Sequence, residues 1–397
     1  MYNLRQYPHL KPDGEGKLLI DGFPYLELAG NYGTPLYVYS LKRVEENCVK
    51  IKRVLDNSGF KNKIFYSYKT NLHSVICKLI HKNGFGAEIT SDLELQGALN
   101  NGLSPHMIIY DGPYKSENSL IQAINAGVKL INADSLEELK QINNIAGSIG
   151  LEQEVGITLK SVENSKIGVS FSETEYSRLK SYVKKLGNIN ITTLHRHMRT
   201  QNNDLTSYLE NLKSMINLAD TLKFKAGCEI NKFDLGGGLP EAAIIRKNID
   251  GLSDMLRTHG EKISSPIELY FEPGRFIVGD SGVLITRILK IKQANGRKWL
   301  IIDAGSNILS PLAKANYRFI AANMLFKKHS TEYSIGGPLP ASFDVLTRSY
   351  PLPEGLAEND FLAILNVGAY CQSFSIDFGD KKTTSIFIDG KAQIKFP

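Results

Sequence analysis

Between residues 64 and 275, short apolar runs alternate with longer amphipathic stretches. The runs IFYSY, FGAEIT, MIIYDG, VKLINAD, EVGITLK, NITTLHRHM, KFDLGGG and IELYFEPG carry the branched and aromatic residues of buried strands. Segments between them, such as NLHSVICKLIHKNG and SDLELQGALNNG, place apolar residues at helical spacing and end near Gly. Ser91 and the Asp134-Ser135 pair stand where helix N-caps belong. Strand and helix in alternation build a parallel sheet, and eight such units over about 200 residues predict a closed (β/α)8 barrel. An open doubly wound sheet is the alternative. The long connection SVENSKIGVSFSETEYSRLKSYVKKLG after the fifth strand is expected to carry a loop over the barrel mouth.

After Arg275 the period changes. FIVGDSGVLITRILKIKQANGRKWLIIDAG alternates with period two around an Asn-Gly turn, the pattern of a β-hairpin, and FLAILNVGAY and SIFIDGKAQIKF continue it. The opening stretch GKLLIDGFPYLELAGNYGTPLYVYS also reads as strand. The expected division is a barrel over 36–275 and a β-rich domain assembled from 1–35 and 276–397.

Composition narrows the function. The chain has 397 residues and a net charge of +6 from 47 basic and 41 acidic side chains, without a basic block to bind nucleic acid. Clusters such as VKKLG read as solvated helix faces. The cysteines, Cys48, Cys77, Cys228 and Cys371, show neither zinc-knuckle nor redox spacing and suit reduced thiols. No metal site is expected. The N-terminal segment has no signal-peptide core and no run is long enough to span a membrane, so a cytoplasmic protein is expected.

Chemistry in such barrels gathers at the C-terminal ends of the strands. There the sequence places Lys69, Glu88, Asp111, Asp134, His197, Gly236-Gly237-Gly238, and Glu272 with Gly274 and Arg275. Lys69 ends an apolar strand, where a charged amine must be paired, exposed or chemically used. Each feature alone has an ordinary reading as surface charge, tight turn, core histidine or structural ion pair. Together, at one end of one barrel, they suggest pyridoxal phosphate. Glycine backbones after strands seven and eight offer a phosphate seat, Lys69 an imine, and Glu272 an acidic partner for the pyridine nitrogen.

From about Thr34 to the end, the chain resembles the fold-type III pyridoxal-phosphate decarboxylases, the family of diaminopimelate decarboxylase and eukaryotic ornithine decarboxylase. The resemblance rests on FYSYKTN, FGAEITSDLELQGALNNG, SKIGVS, HRHMRTQ, FDLGGGLP, FEPGRFIVG, IIDAG and VGAY. It implies an alanine racemase-like TIM barrel, a C-terminal β-sandwich or β-barrel domain, and a homodimer with shared active sites. It implies that Lys69 forms the cofactor imine and that His197 stacks on the ring. Thr200 would lie near the phosphate, which Gly236, Gly237, Gly238, Gly274 and Arg275 would hold, with Tyr370 reaching it from the partner subunit. Glu272 would meet the pyridine nitrogen, and Glu88 stands at the family aspartate near the lysine.

The departures lie on the substrate side. The family Cys-Glu-Ser-Gly-Asp motif reads Pro340-Ala341-Ser342-Phe343-Asp344, which removes a thiol and an acid. The arginine that grips a substrate carboxylate reads Ser310, the nearby tyrosine reads Lys314, and Arg199 stands at a family glycine. A bidentate arginine contact is hard to replace with serine. The expected function is therefore an amino-acid decarboxylase with a substrate other than diaminopimelate. Arg199, Lys314 or Arg318 would hold that substrate, and Lys69, Cys371 or water would supply the proton. The alternatives are an amino-acid racemase or epimerase, and a non-catalytic regulator related to the decarboxylases.

Overall fold

The computed structural model describes residues 3–245, 249–260, 266–379, 383–390 and 392–396, and divides into two compact units. One comprises Cys48–Pro240 and Ile245–Gly274; the other comprises Met1–Asn47, Glu241–Ile244 and Arg275–Pro397.

The first unit is a closed parallel barrel of eight strands. They are β1 (Lys61–Ser67), β2 (Gly86–Ile89), β3 (Ile108–Tyr110), β4 (Leu130–Ala133), β5 (Gln153–Thr158), β6 (Ile189–His195), β7 (Lys232–Asp234) and β8 (Glu268–Phe271). Each of the eight apolar runs read from the sequence overlaps one of them. Closure comes from β8 pairing with β1, in register Phe271 to Ile64. Small strands can close so tightly because their inward side chains fill the interior in layers. Phe65, Ile109, Leu130 and Tyr270 form one such cluster, with the Phe65 and Tyr270 rings edge to face at 5.2 Å.

Helix starts follow the sequence signals. Ser91 Oγ accepts the amide of Glu94, and Ser135 Oγ accepts that of Glu138. Each glutamate reaches back one residue beyond its cap, to Thr90 N and to Asp134 N. The long connection after β5 contains the helix Glu173–Val183.

The second unit is built on the long strand Gly282–Ala294. It pairs with Arg297–Ile302 through the expected hairpin, where Asn295 and Gly296 both take positive φ (52° and 70°). It pairs also with Phe361–Leu365 and with Leu36–Ser40. Strand Leu36–Ser40, counted with the barrel on sequence grounds, thus hydrogen-bonds here, and also to Thr384–Asp389. Two stretches read as strand are helical. Tyr25–Tyr32 is an α-helix that buries Tyr25, Leu28 and Ala29, a spacing of three and four that alternation had masked. Gly274–Val278 is a short helix between the barrel and the long strand.

Gly86 stands at a closely packed point of the barrel. A β-carbon there would lie 2.3 Å from Met107 O and 2.5 Å from the Phe65 ring. Gly86→Ala is expected to cost about 1–3 kcal/mol of stability through overpacking, read as a lower urea midpoint with an unchanged slope.

Candidate active site

The C-terminal rim of the barrel concentrates charge in a dry place. Each of its groups stands at the end of a strand or just beyond it. Lys69 follows β1 on a single turn of 3-10 helix, Tyr68–Thr70. Its Nζ donates to Glu88 Oε1 at 2.5 Å, while Ser67 Oγ donates to Glu88 Oε2. The carboxylate is fully buried, but the lysine side chain keeps 35% of its surface. Lys69 is therefore an anchored amine that a small molecule can still reach.

On the neighbouring strand, Glu272 follows β8. Its Oε1 lies 3.6 Å from His195 Nε2, and its Oε2 lies 3.9 Å from His197 Nδ1. His195 Nε2 is 3.9 Å from Asp111 Oδ2, and its Nδ1 meets Thr158 Oγ1 at 3.2 Å. Asn132 Nδ2 donates to the other Asp111 oxygen at 2.7 Å. Asp234, the last residue of β7, accepts the amide of Gly236. His195 and Asp234 were missed on the sequence. His195 stands two residues before His197, so strand periodicity was a usable signal for it. The role of Asp234 depends on barrel closure.

These carboxyl groups compete for little positive charge. Burial, and then the charges of Asp234, Asp111 and Glu88, push Glu272 well above the usual carboxylate range. Burial also lifts Asp234, to about 6, with Asp111 adding to it against the pull of His195. Burial works against ionisation of Asp111 too, but His195 and its hydrogen bonds outweigh that and hold it low. Desolvation and the positive charges of Lys69 and His195 keep the His197 ring below its ordinary value. Asp111, His195 and Glu272 present ligand atoms within 4.8 Å of one another.

The glycine run shows why glycine is needed. A β-carbon at Gly236 would lie 2.7 Å from His197 Cα, and one at Gly238 would lie 2.4 Å from Arg199 O. Both residues have positive φ, 64° and 95°. Gly237 N donates to His197 Nδ1, which fixes that ring against the run. A β-carbon at Gly274 would lie 2.1 Å from Thr70 Oγ1. These bare backbones, a reachable amine and a buried carboxyl with Oε1 lacking a donor fit pyridoxal phosphate. A cationic pyridine nitrogen would supply the charge that Glu272 lacks.

Thr200 and Arg199 are both exposed in the segment after β6. The remaining candidates belong to the β unit. The Arg275 guanidinium, expected on the phosphate, meets two groups of its own chain and keeps Nε without a hydrogen-bond partner among the described residues. Nη1 meets Glu241 Oε1 at 3.2 Å and Nη2 donates to Ala313 O at 2.6 Å. Tyr370, expected to reach over from a partner, lies with its ring 4.9 Å from the Arg275 guanidinium of the same chain. Ser310 is buried and caps the turn Pro311–Ala313 by accepting Leu312 N. Lys314 ends that turn in the left-handed region. The Arg318 guanidinium sits over the Tyr7 ring at 5.8 Å.

Ala341 is half-buried and Pro340 exposed in a loop tied down by Asp344. The Asp344 carboxylate accepts Ser306 N and Leu339 N. Cys371 is buried with Sγ 3.4 Å from Tyr317 OH, and burial pushes its thiol up to about 12. Among the described residues no helix is long and apolar enough to cross a membrane.

Known proteins agree with this geometry. Residues 41–279 match the family described as pyridoxal-dependent decarboxylase, pyridoxal binding domain. Diaminopimelate decarboxylase of Aquifex aeolicus is 30% identical over 92% of this chain and 89% of its own. The crystal structure of diaminopimelate decarboxylase from M. jannaschii superposes with a TM-score of 0.89 at 26% identity, covering 98% of this chain and 95% of that one. Lysine/ornithine decarboxylase from Vibrio vulnificus shares the fold, with a TM-score of 0.79 at 20% identity over 92% and 97% of the two chains. The chain belongs to the fold-type III pyridoxal-phosphate decarboxylases, and it is a pyridoxal-phosphate-dependent amino-acid decarboxylase.

Proposed function

We propose that this decarboxylase acts on an amino acid other than diaminopimelate. The observation that carries the reading is the state of Ser310. Where the family resemblance places a carboxylate-gripping arginine, there is a buried serine that brings no positive charge and whose hydroxyl caps its own turn by accepting Leu312 N. Pro340 offers no thiol, Ala341 no acid, and Arg318 is engaged with Tyr7.

Bound pyridoxal phosphate supplies the electron sink that receives the pair left on the α-carbon when carbon dioxide departs. Lys69 is the covalent anchor. Glu88 holds the amine in place at the strand end through their 2.5 Å contact. Glu272 would meet the pyridine nitrogen, whose positive charge would favour the carboxylate form that burial disfavours. Asp111 and His195 orient Glu272 from the side. His197 packs on the ring, held in place by the Gly237 amide. Gly236, Gly237, Gly238 and Gly274 would receive the phosphate, with Thr200 near it.

We read the active form as a homodimer. Leu312, Phe343, Phe374, Ile376 and Phe378 are all exposed on the β unit. The loops bearing Phe343, Ile376 and Phe378 are hydrogen-bonded to the same Gly305–Asn307 turn or its neighbours. A large apolar patch of this kind marks an interface.

Lys69→Ala is expected to lose all turnover and the visible band of the lysine-bound cofactor while keeping its fold; turnover at the wild-type rate would refute the assignment. Carbon dioxide release, assayed beside chiral analysis of the product, separates decarboxylation from racemisation. Glu272→Gln is expected to retain the cofactor and slow turnover strongly. The same variant has a second signature in cofactor-free protein. The folded carboxyl binds its proton more tightly than the unfolded one, so native stability falls as pH rises above the ordinary carboxylate range. The variant should therefore melt higher than wild type at pH 8 and close to it at pH 5. Sedimentation should give twice the 44.1 kDa chain mass, and a monomer would exclude the shared site.

A further inference from the structure

We propose that Asp111, His195 and Glu272 form a zinc site in the cofactor-free protein, and that bound pyridoxal phosphate closes it. The second half of the inference rests on the reading above, that Glu272 meets the pyridine nitrogen.

Asp111 follows β3, His195 ends β6 and Glu272 follows β8, so the three come together only in the closed barrel. All are more than nine-tenths buried. Their ligand atoms converge. His195 Nε2 lies 3.6 Å from Glu272 Oε1 and 3.9 Å from Asp111 Oδ2. A tetrahedral zinc ion with bonds of about 2.0–2.2 Å holds its ligand atoms about 3.4 Å apart. The observed spacings are a few tenths wider than that and too long for hydrogen bonds. His195 Nε2 and Glu272 Oε1 accordingly have no hydrogen-bond partner among the described residues. Among those residues, no second group of His, Cys, Asp and Glu side chains has such a spacing.

The groups behind the three are arranged as metal ligands require. A ligating imidazole is oriented through its other nitrogen, and a ligating carboxylate through its other oxygen. His195 Nδ1 meets Thr158 Oγ1 at 3.2 Å, and Asp111 Oδ1 accepts Asn132 Nδ2 at 2.7 Å. Asn132 is fixed in turn, its carbonyl accepting Lys115 Nζ at 2.8 Å. Nε2 and Oδ2 are the atoms left over. One imidazole with two carboxylates suits zinc better than magnesium or calcium, which favour oxygen ligands alone. The way in runs past His197, whose side chain stays partly open to solvent and whose Nδ1 is 3.9 Å from Glu272 Oε2. A divalent cation would answer the same shortage of positive charge that the pyridine nitrogen answers in the holoenzyme. Both need Glu272, so each excludes the other.

The test is calorimetric titration of zinc chloride into the full chain, once freed of cofactor and once as holoenzyme cleared of unbound cofactor. The cofactor-free chain should take up one zinc, and magnesium far more weakly, while the holoenzyme should take up none. Asp111→Asn and His195→Gln, which keep shape and remove a ligand, should each weaken zinc binding by about tenfold or more. A cofactor-free chain that binds no zinc overturns the proposal. Unchanged affinity in both variants overturns it too, because the zinc then sits elsewhere. Should both variants fail to fold, the wild type decides, since loading with pyridoxal phosphate must abolish the zinc signal. Equal zinc uptake by the holoenzyme also overturns the proposal. If the two variants nonetheless lose that zinc, the fault lies in the placement of Glu272 at the pyridine nitrogen and not in the ligand set.

Discussion

A buried carboxylate needs a counter-charge, and the end of this barrel holds four of them: Glu88, Asp111, Asp234 and Glu272. The chain answers each differently. Glu88 is matched by Lys69 and the Ser67 hydroxyl, and Asp111 by His195 and Asn132. Asp234 accepts a glycine amide, which offsets only part of the burial that lifts it to about 6. Glu272 has least and is driven toward its neutral form. Isolated buried charge is expensive, so this rim is stable only in part until a cation arrives. The demand for positive charge at Glu272 is the same property that suits it to a pyridine nitrogen.

The barrel's construction makes that rim possible. Short strands with inward side chains fill the interior, and the polar groups are displaced to the strand ends. Glycines then let backbone come close where side chains would collide. Gly156 shows the principle away from the cofactor residues. A β-carbon there would lie within 2 Å of Asn132 Oδ1, the side chain that orients Asp111. A small residue in one strand thus sets the position of an acid in another.

The β unit follows a contrasting rule, in which charges are closed off internally. Arg43 is paired with the buried Asp280, which Asn47 also meets, and Arg275 is paired with Glu241. The groups that the family resemblance would turn toward a ligand are here consumed by cap, turn and ion pair.

The sequence by itself determined the eight barrel strands, because each is an apolar run bounded by turn residues. It determined the caps at Ser91 and Ser135 and the Asn-Gly hairpin, because those signals lie within four residues of one another. It also placed Lys69, Glu88, His197, the glycine run and Glu272 at strand ends, as connectivity alone requires. The helix Tyr25–Tyr32 escaped because its few apolar residues fit either period. Only the tertiary structure decided that strand Leu36–Ser40 pairs across the β unit, that His195 and Asp234 crowd Glu272, and that Arg275 is paired with Glu241. Those facts join residues dozens to hundreds of positions apart, and hydrogen bonds and charge compensation act through space, where a linear pattern carries no record of them.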